Sequence, residues 1–233
     1  MIKQFFIGAI FGLASCVTAI PTFAAIDPAL IENAKQGNVH AQFDLAWLYL
    51  EGQQVKKNYS LAAKWLQKAA DQGHADAQNN LGLMFYEGDG VKKNYHAAAK
   101  WFEKAAAQGH VIAQFRLGVM FNEGYGVKQS HVNAAKWYRK SAEQNYAPAQ
   151  FNLANKYFNG QGVRQSYSTA AEWYLKAAQQ DQPHAQLAIG GMHENGFGVR
   201  QNYATAKEWY GRACDNGSDL GCSEYARLNQ QGY

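Results

Sequence analysis

The sequence lacks the residue patterns of the common enzyme families. None of its eight serines begins a Ser-x-x-Lys motif or lies in a Gly-x-Ser-x-Gly turn. It contains neither a His-Glu-x-x-His zinc motif nor a Gly-Lys pair for a phosphate-binding loop. The seven histidines are scattered, and most fall at or near predicted turns. We therefore expect no catalytic residues, no metal and no cofactor.

The chain also has little net charge. Lys and Arg number 22 against 18 Asp and Glu, and loss of Lys3 with a signal peptide would leave 21 against 18, a net charge of +3. Such a balance does not indicate binding to nucleic acid. With 47% hydrophobic and 14% aromatic residues, the chain has ample apolar material to fold, which excludes a disordered protein.

The first 24 residues differ from the rest and are predicted to be a signal peptide. Lys3 is their only charge, residues 5–20 form an apolar run, and Pro21 precedes the small residues at which cleavage is expected, after Ala24 or Ala25. A retained membrane span is the alternative, but it would need about 20 apolar residues. We expect a periplasmic or secreted protein.

A second alternative for this segment is a lipid anchor. Leu13-Ala14-Ser15-Cys16 resembles the lipobox of bacterial lipoproteins, in which the cysteine is acylated. The sequence stays apolar after Cys16 and ends in a conventional cleavage site, which favours simple cleavage. Membrane association is expected only if Cys16 carries a lipid.

The remainder of the chain repeats itself with a period of 36 residues. Residues 25–40 precede the repeats and are predicted to form a capping helix, with Asp27 as N-cap, Pro28 in the first turn and Gly37 as the stop. Residues 221–233 begin a sixth unit and are predicted to be a C-terminal capping helix. Five units follow one another in register without insertion: 41–76, 77–112, 113–148, 149–184 and 185–220.

Equivalent residues of the five units form columns, and each column is named here after its member in the third unit. The Leu117, Gly118 and Phe121 columns give an apolar stripe at helical spacing, and the Trp137 column is tryptophan in every unit. A single helix pair could not bury these residues, so stacking of neighbouring units is expected to make the core. The members are Leu45, Leu81, Leu117, Leu153 and Ile189; Ala46, Gly82, Gly118, Ala154 and Gly190; Tyr49, Phe85, Phe121, Tyr157 and His193; and Trp65, Trp101, Trp137, Trp173 and Trp209.

Each unit also carries signals for the ends of its helices. A Gly-x-Gly-Val loop leads to an N-cap residue type, namely Asn58, Asn94, Ser130, Ser166 or Asn202. The residues at the far end tolerate a positive φ angle, namely Gly73, Gly109, Asn145, Asp181 and Gly217. Gln54 replaces the second glycine of the first loop, so the sequence does not determine the conformation of that loop. Each unit is thus predicted to be helix, loop, helix and turn.

The repeated unit resembles the Sel1-like repeat, a relative of the tetratricopeptide repeat. The pattern AQxxLGxMFxxGxGVxxxxxxAAKWxxKAAxQG is matched over residues 41–220, nearly the whole mature chain. The resemblance implies an all-α fold, an α-solenoid of about five repeats whose first helices line a concave groove. It also implies a scaffold that binds other proteins, and exported bacterial members act in the envelope or toward host cells.

Two cysteines remain after signal removal, and they are expected to form a disulfide. Cys214 replaces an alanine found in the other units, and Cys222 replaces their glutamine. These positions flank the turn between one second helix and the next first helix, where side chains can be close enough to bridge. Two free thiols are the alternative. The Cys-x7-Cys spacing is similar to that of cysteine-rich Sel1-like proteins, some of which have been linked with penicillin binding or hydrolysis.

Three columns of the first helix vary from unit to unit and are predicted to line the groove. Helical spacing places the Arg116, Val119 and Glu123 columns on one side of that helix, away from the apolar stripe. Trp47 is the one large aromatic candidate among them. The members are Asp44, Asn80, Arg116, Asn152 and Ala188; Trp47, Leu83, Val119, Asn155 and Gly191; and Glu51, Glu87, Glu123, Asn159 and Asn195.

The sequence therefore favours an exported, monomeric, non-enzymatic scaffold that binds a protein or peptide in the groove. Variation in these columns could also reflect a mere lack of constraint. The alternative function is a hydrolase acting on cell-wall material or β-lactams, or a penicillin-binding protein, as the cysteine-rich resemblance implies.

Overall fold

The computed structural model describes residues 26–233, and this part of the chain is α-helical with short connecting loops. Consecutive helices pack against each other in chain order. The all-α solenoid of 36-residue units predicted from the sequence is confirmed. Within residues 26–233 the helices are α1 Pro28–Lys35, α2 Val39–Glu51, α3 Tyr59–Asp71, α4 Ala75–Glu87, α5 Tyr95–Ala107, α6 Val111–Glu123, α7 His131–Glu143, α8 Ala147–Asn159, α9 Tyr167–Ala178, α10 Pro183–Asn195, α11 Tyr203–Asp215 and α12 Asp219–Gln230.

The expected signal peptide and Cys16 lie outside the described residues. No helix within residues 26–233 combines the length and the apolar composition that crossing a bilayer requires.

The helix ends form as the sequence predicts. The five predicted N-cap residues each accept a hydrogen bond from a backbone N–H three positions on, as Asn94 Oδ1 does from Ala97 at 3.1 Å. The five predicted C-terminal turn residues all have positive φ, including the non-glycine residues Asn145 and Asp181. Local sequence therefore fixes where each helix begins and ends.

The second glycine of each loop also sets the distance between units. Gly126 has a φ of 66°, and a Cβ atom there would overlap the backbone of Tyr95 and His96 at the start of α5, in the preceding unit. Gln54 adopts the same backbone conformation, with a φ of 61°. The counterparts of Tyr95 and His96 for the first loop, residues 23 and 24, lie outside the described residues.

The core contains the Leu117 column and, unexpectedly, the residue that follows each tryptophan. Leu117 and Tyr138 are each 2% exposed, whereas Trp137 is partly exposed. Each tryptophan of the Trp137 column is partly buried and packs against the core, as Trp137 does against the cluster around Phe102 and Leu117, while the second helix turns the next residue fully inward. The buried Tyr138 column consists of Leu66, Phe102, Tyr138, Tyr174 and Tyr210.

The small residues of the Gly118 column accommodate these inward side chains. A Cβ atom added at Gly118 would lie 2.6 Å from the Tyr138 ring, and one at Gly82 would lie 2.8 Å from Phe102. In the first unit the smaller Leu66 is paired with Ala46. The close approach predicted at this column is therefore a contact between a backbone and a ring.

Each of the five repeat tryptophans is partly buried and lies under a basic side chain. The ammonium of Lys140 is 4.4 Å from the centroid of Trp137, and the same Lys–Trp pair occurs one helical turn apart in α3, α5 and α9, with Arg212 over Trp209 in α11. The aliphatic stem and the charge of each basic residue thus cover the part of the ring that remains exposed.

A ladder of buried glutamines joins consecutive units. Gln114 Nε2 donates to the carbonyl of Ala106 at 3.2 Å, and its Oε1 accepts from Gln144 Nε2 of the next second helix at 2.8 Å. The ladder residues are Gln42, Gln78, Gln114, Gln150 and Gln186.

The disulfide replaces the next step of this ladder. Cys222 occupies the glutamine position and Cys214 the alanine position, and the structure joins them with Cα atoms 4.5 Å apart. The disulfide expected from the sequence is therefore present. In the five earlier steps, a glutamine hydrogen bond connects a second-helix carbonyl with the next first helix. Here the disulfide makes that connection covalently.

Candidate functional site

The three variable columns lie on one surface of α2, α4, α6, α8 and α10, called here the first-helix face. Trp47 is 45% exposed and Asp44 is also exposed, as is every member of the Glu123 column. The remaining predicted groove residues are half-buried: Asn80, Leu83, Arg116 and Val119 border cavities between consecutive first helices, whereas Asn152 and Asn155 line none of these cavities.

The first of these cavities lies between α2 and α4. It has a volume of about 310 Å³, and Trp47, Asn80 and Leu83 line it together with Lys57 and Tyr59. Trp47 also stacks on Phe43 with ring centroids 6.4 Å apart. The structure thus brings three of the predicted residues together at this end, whereas Asp44 is not among the cavity-lining residues.

A second cavity, between α4 and α6, is called here the first socket. It has a volume of about 190 Å³ and is lined by Leu83, Tyr86, Glu87, Phe102, Phe115, Arg116, Val119 and Met120. Six of these eight side chains are apolar or aromatic, so its chemistry suits an apolar group beside a polar one. Phe102 comes from the second helix, which was not predicted to contribute.

The corresponding cavity two units later, between α8 and α10, is called the second socket. Its volume is about 220 Å³, and its lining is Phe158, Tyr174, Leu187, Ala188, Gly191, Met192, Asn195 and Phe197. Six of these residues stand 72 positions after a residue that lines the first socket. The chain therefore builds the same apolar cavity twice. Asn152 and Asn155 line neither socket and lie on α8, between them.

Arg116 supplies the positive charge of the first socket. Its Nη1 donates to Asn79 Oδ1 at 2.8 Å, and its guanidinium carbon is 5.6 Å from the centroid of Phe102. Burial lowers the pKa of Arg116, although the nearby Tyr146 and Glu87 act in the opposite direction. No carboxylate oxygen of residues 26–233 lies within 4.0 Å of the guanidinium, so its charge has no direct ion-pair partner there.

Lys156 makes the junction between the two sockets polar. It is 5% exposed and occupies a column that is methionine in three other units. Its Nζ contacts Asn122 Oδ1, Gln161 Oε1 at 3.0 Å and His131 Nδ1 at 3.4 Å. Burial lowers the pKa of Lys156. A buried cation satisfied by neutral acceptors thus separates two apolar cavities.

Aromatic triads, which sequence reasoning missed, adjoin each socket. Tyr86, Tyr95 and Tyr125 form one triad, in which the rings of Tyr95 and Tyr125 stack at 5.1 Å. The second triad is Phe158, Tyr167 and Phe197, with the last two rings stacked at 5.2 Å. Each triad combines a first helix, a second helix and the loop of the next unit. Their 72-residue spacing is visible in the sequence and could have identified them.

The histidines of the turns act as structural caps. His74 and His110 each accept a backbone N–H through Nδ1 at the N-termini of α4 and α6. Burial lowers the pKa of His74. Within residues 26–233 no group of three or more His, Cys, Asp or Glu side chains is arranged to hold a metal ion.

A larger depression, of about 810 Å³, is not on the first-helix face. It is an open hollow around Trp65 and neighbouring residues of α3, such as Lys64 and Lys68, and it holds none of the predicted groove residues.

Comparison with protein families identifies the repeat. The family model described as "Sel1 repeat" matches residues 39–74, 75–110, 111–146, 147–182 and 183–218. Each match begins two residues before the corresponding unit counted in the sequence. A search of curated proteins found no match.

Solved structures with the same architecture come from several bacteria. A protective antigen of uropathogenic Escherichia coli with an SLR fold is 33% identical, with a TM-score of 0.85 over 87% of this chain and 44% of that one. A Sel1 repeat protein from Oxalobacter formigenes is 34% identical, with a TM-score of 0.78 over 82% and 79% of the two chains. A putative Sel1 repeat protein from Klebsiella pneumoniae, at 23% identity and a TM-score of 0.52 over 87% and 98%, shares the fold. This chain thus spans less than half of the E. coli antigen.

Proposed function

This chain belongs to the Sel1 repeat family, and from that premise we propose that it is an exported scaffold that binds a partner protein or peptide through the first-helix face. Sel1 repeats are generally protein-interaction modules and generally lack enzymatic activity. In this proposal the first-helix face is the concave groove of the solenoid, while α1 and α12 cap the two ends of the stack.

The observation that carries the proposal is the division between constant and variable columns. The constant Leu117, Gly118 and Gln114 columns are buried and engaged within the stack. Members of the variable columns line three cavities that the chain itself leaves open: Trp47, Asn80, Leu83, Arg116, Val119, Ala188 and Gly191. Apolar recesses with few polar groups are the usual places of recognition.

Export is supported by the N-terminal sequence and by the disulfide. The Cys214–Cys222 bond is of a kind that persists in oxidising compartments such as the periplasm. Similarity to a bacterial protective antigen is compatible with the same location. We propose a signal peptide of residues 1–24 and a periplasmic or secreted mature form. Mass spectrometry of the mature N-terminus tests this proposal. Cleavage near residue 24 would support a simple signal peptide, whereas an N-terminal acylated Cys16 would establish the lipoprotein alternative.

A capture experiment tests the binding function. The mature chain is immobilised and exposed to an envelope extract, and the wild type is compared with a variant carrying Asp44→Ala, Asn80→Ala and Arg116→Ala. A partner that the wild type retains and the variant loses supports the first-helix face. Equal recovery by both would remove the groove hypothesis.

A matched control separates loss of a surface from loss of charge or fold. Lys64, Glu103 and Asn133 are exposed on the second helices and are likewise one base, one acid and one amide, and their triple alanine variant should retain the partner. The melting temperatures of all three proteins should be compared in parallel.

We propose further that the protein is a monomer without hydrolase activity. Sedimentation of the mature chain tests the first statement. Incubation with a chromogenic β-lactam and with purified peptidoglycan tests the second. Turnover that survives a mock-purification control would establish the alternative function.

A further inference from the structure

The two sockets of the first-helix face indicate what kind of partner the scaffold takes. We propose that the partner is an extended peptide segment that inserts one large apolar side chain into each socket and places a carboxylate beside the first, at Arg116. This inference rests on the proposed binding function and makes it specific. It concerns the chemistry and spacing of the ligand.

The size of the sockets suits one large side chain each. Their volumes are about 190 and 220 Å³. An apolar cavity of roughly 150 Å³ is enough to bind a benzene molecule. The linings are mainly apolar, and the second socket is bordered by Phe197 of the exposed aromatic triad. A phenylalanine, leucine or methionine side chain of a partner would therefore be removed from water at both places.

The spacing of the sockets limits the spacing of the two side chains. Corresponding positions are two repeats apart, and packed helices lie about 10 Å from one another. We infer that first helices of adjacent units are separated by about one helix diameter, roughly 10 Å, and the two sockets by about 20 Å. An extended chain covers that distance in about six residues. A helical ligand would need about 13 residues.

The surface between the sockets favours the extended form. Asn152 and Asn155 are half-buried on α8; Asn152 carries side-chain donors and an acceptor, whereas Asn155 Oδ1 accepts from the Tyr174 hydroxyl, so that Asn155 offers mainly its N–H donors. An extended peptide has unpaired backbone N–H and C=O groups that such amides can bind, whereas a helix satisfies these groups internally. An amide surface between two apolar cavities thus matches a strand-like segment with anchors at both ends.

The charge of the first socket gives the ligand a direction. Arg116 is the only basic residue in its column, and Ala188 takes its place at the second socket. Glu87 lines the first socket too, but it lies beyond ion-pair distance of the guanidinium. The partly desolvated cation and its remaining N–H donors therefore suit an Asp, a Glu or a terminal carboxylate next to the first apolar anchor.

The test uses the mature chain and a phage-displayed library of random peptides about 12 residues long. Enriched peptides are synthesised with a fluorescent label, and their dissociation constants are measured by fluorescence polarisation. Gly191→Leu should fill the second socket; a Cβ there meets only the Tyr210 hydroxyl, at 3.6 Å, so the helix can accept a side chain. Arg116→Met removes the charge and keeps an apolar stem. Melting curves verify that both variants are folded.

The expected result is a set of peptides with two large apolar residues about six positions apart and an acidic residue beside one of them. Gly191→Leu should weaken their binding at least tenfold. Arg116→Met should weaken the acidic peptide about tenfold, in line with the loss of a charge-assisted hydrogen bond, and should not change the affinity of the same peptide with Asp replaced by Asn.

Three results would overturn the inference. Peptides that bind the first-helix face but are insensitive to Gly191→Leu would refute the paired sockets, while the proposed scaffold function would stand. A preferred anchor spacing of about 13 residues would show that the ligand is a helix. Failure to enrich any peptide would exclude an extended peptide ligand, and the capture experiment would then decide separately whether a folded protein binds.

Discussion

The glycine of the inter-unit loop offers the sharpest test of how the repeats stack. Gly126 and Gly109 both have positive φ, at 66° and 88°. A Cβ atom at Gly109 would meet nothing within 4 Å, whereas one at Gly126 would overlap the backbone at the start of α5. Alanine at either position must adopt a left-handed backbone conformation, which destabilises the fold by about 1–2 kcal/mol. Only Gly126→Ala also forces two units apart.

The additional cost at Gly126 is expected to be about 1–3 kcal/mol, the usual range for an overpacked site. For a chain of this size that difference corresponds to a melting temperature lower by about 2–12 °C than that of Gly109→Ala. The assay is thermal unfolding followed by circular dichroism, with both variants and the wild type at one concentration. Equal melting temperatures for the two variants would refute the idea that this loop sets the spacing of the stack.

Three further predictions concern the core, a helix cap and the buried lysine. Tyr138→Ala should lower the free energy of unfolding by about 3–5 kcal/mol in urea titrations, and Trp137→Ala by less, because Trp137 is already partly exposed. Burial lowers the pKa of His74 in the folded protein. As the pH falls, this histidine is therefore protonated in the unfolded chain before it is protonated in the folded one, and the free energy of unfolding should decrease below about pH 6.5. His74→Asn keeps the capping acceptor and should remove that part of the pH dependence. Lys156→Met should preserve or raise the melting temperature, because it replaces a buried cation with the residue found in equivalent units.

Each of these predictions has a result that contradicts it. Equal losses of unfolding free energy for Trp137→Ala and Tyr138→Ala would contradict the conclusion that Tyr138 contributes more to the core than Trp137. If the free energy of unfolding depends on pH in the same way for His74→Asn as for the wild type, other groups account for the loss of stability in acid. A clearly lower melting temperature for Lys156→Met would mean that the polar cluster around the lysine stabilises the stack.

The sequence was sufficient to predict the features that depend on local chemistry. The period of 36, the N-cap residues and the positive-φ turns are each specified by residues adjacent in the chain, and they appear as expected. The Cys214–Cys222 disulfide could also be anticipated, because both cysteines replace residues that the repeat brings together at a tight turn.

The sequence was less informative where two or more elements meet. Trp137 and Tyr138 are both aromatic and adjacent, so the pattern alone cannot say which faces inward; the rotation of the second helix decides it. The sockets likewise combine first-helix residues with Phe102 from a second helix and Phe197 from a loop. Variation along a single helix identified Arg116 and Val119 but could not reveal these contributors.

The alternation of aromatic triads and the Lys156 cluster has a consequence for changes in repeat number. The backbone repeats every 36 residues, but the surface pattern returns only after 72. Deleting or inserting a single unit between the sockets would preserve the solenoid. It would nevertheless change the distance between the two sockets, so that they would no longer match the two apolar side chains of a given ligand. Inserting a pair of units would add a whole surface period. Under the proposed mode of binding, the unit of recognition is therefore a pair of repeats, and only insertion by pairs would extend the proposed binding surface in register.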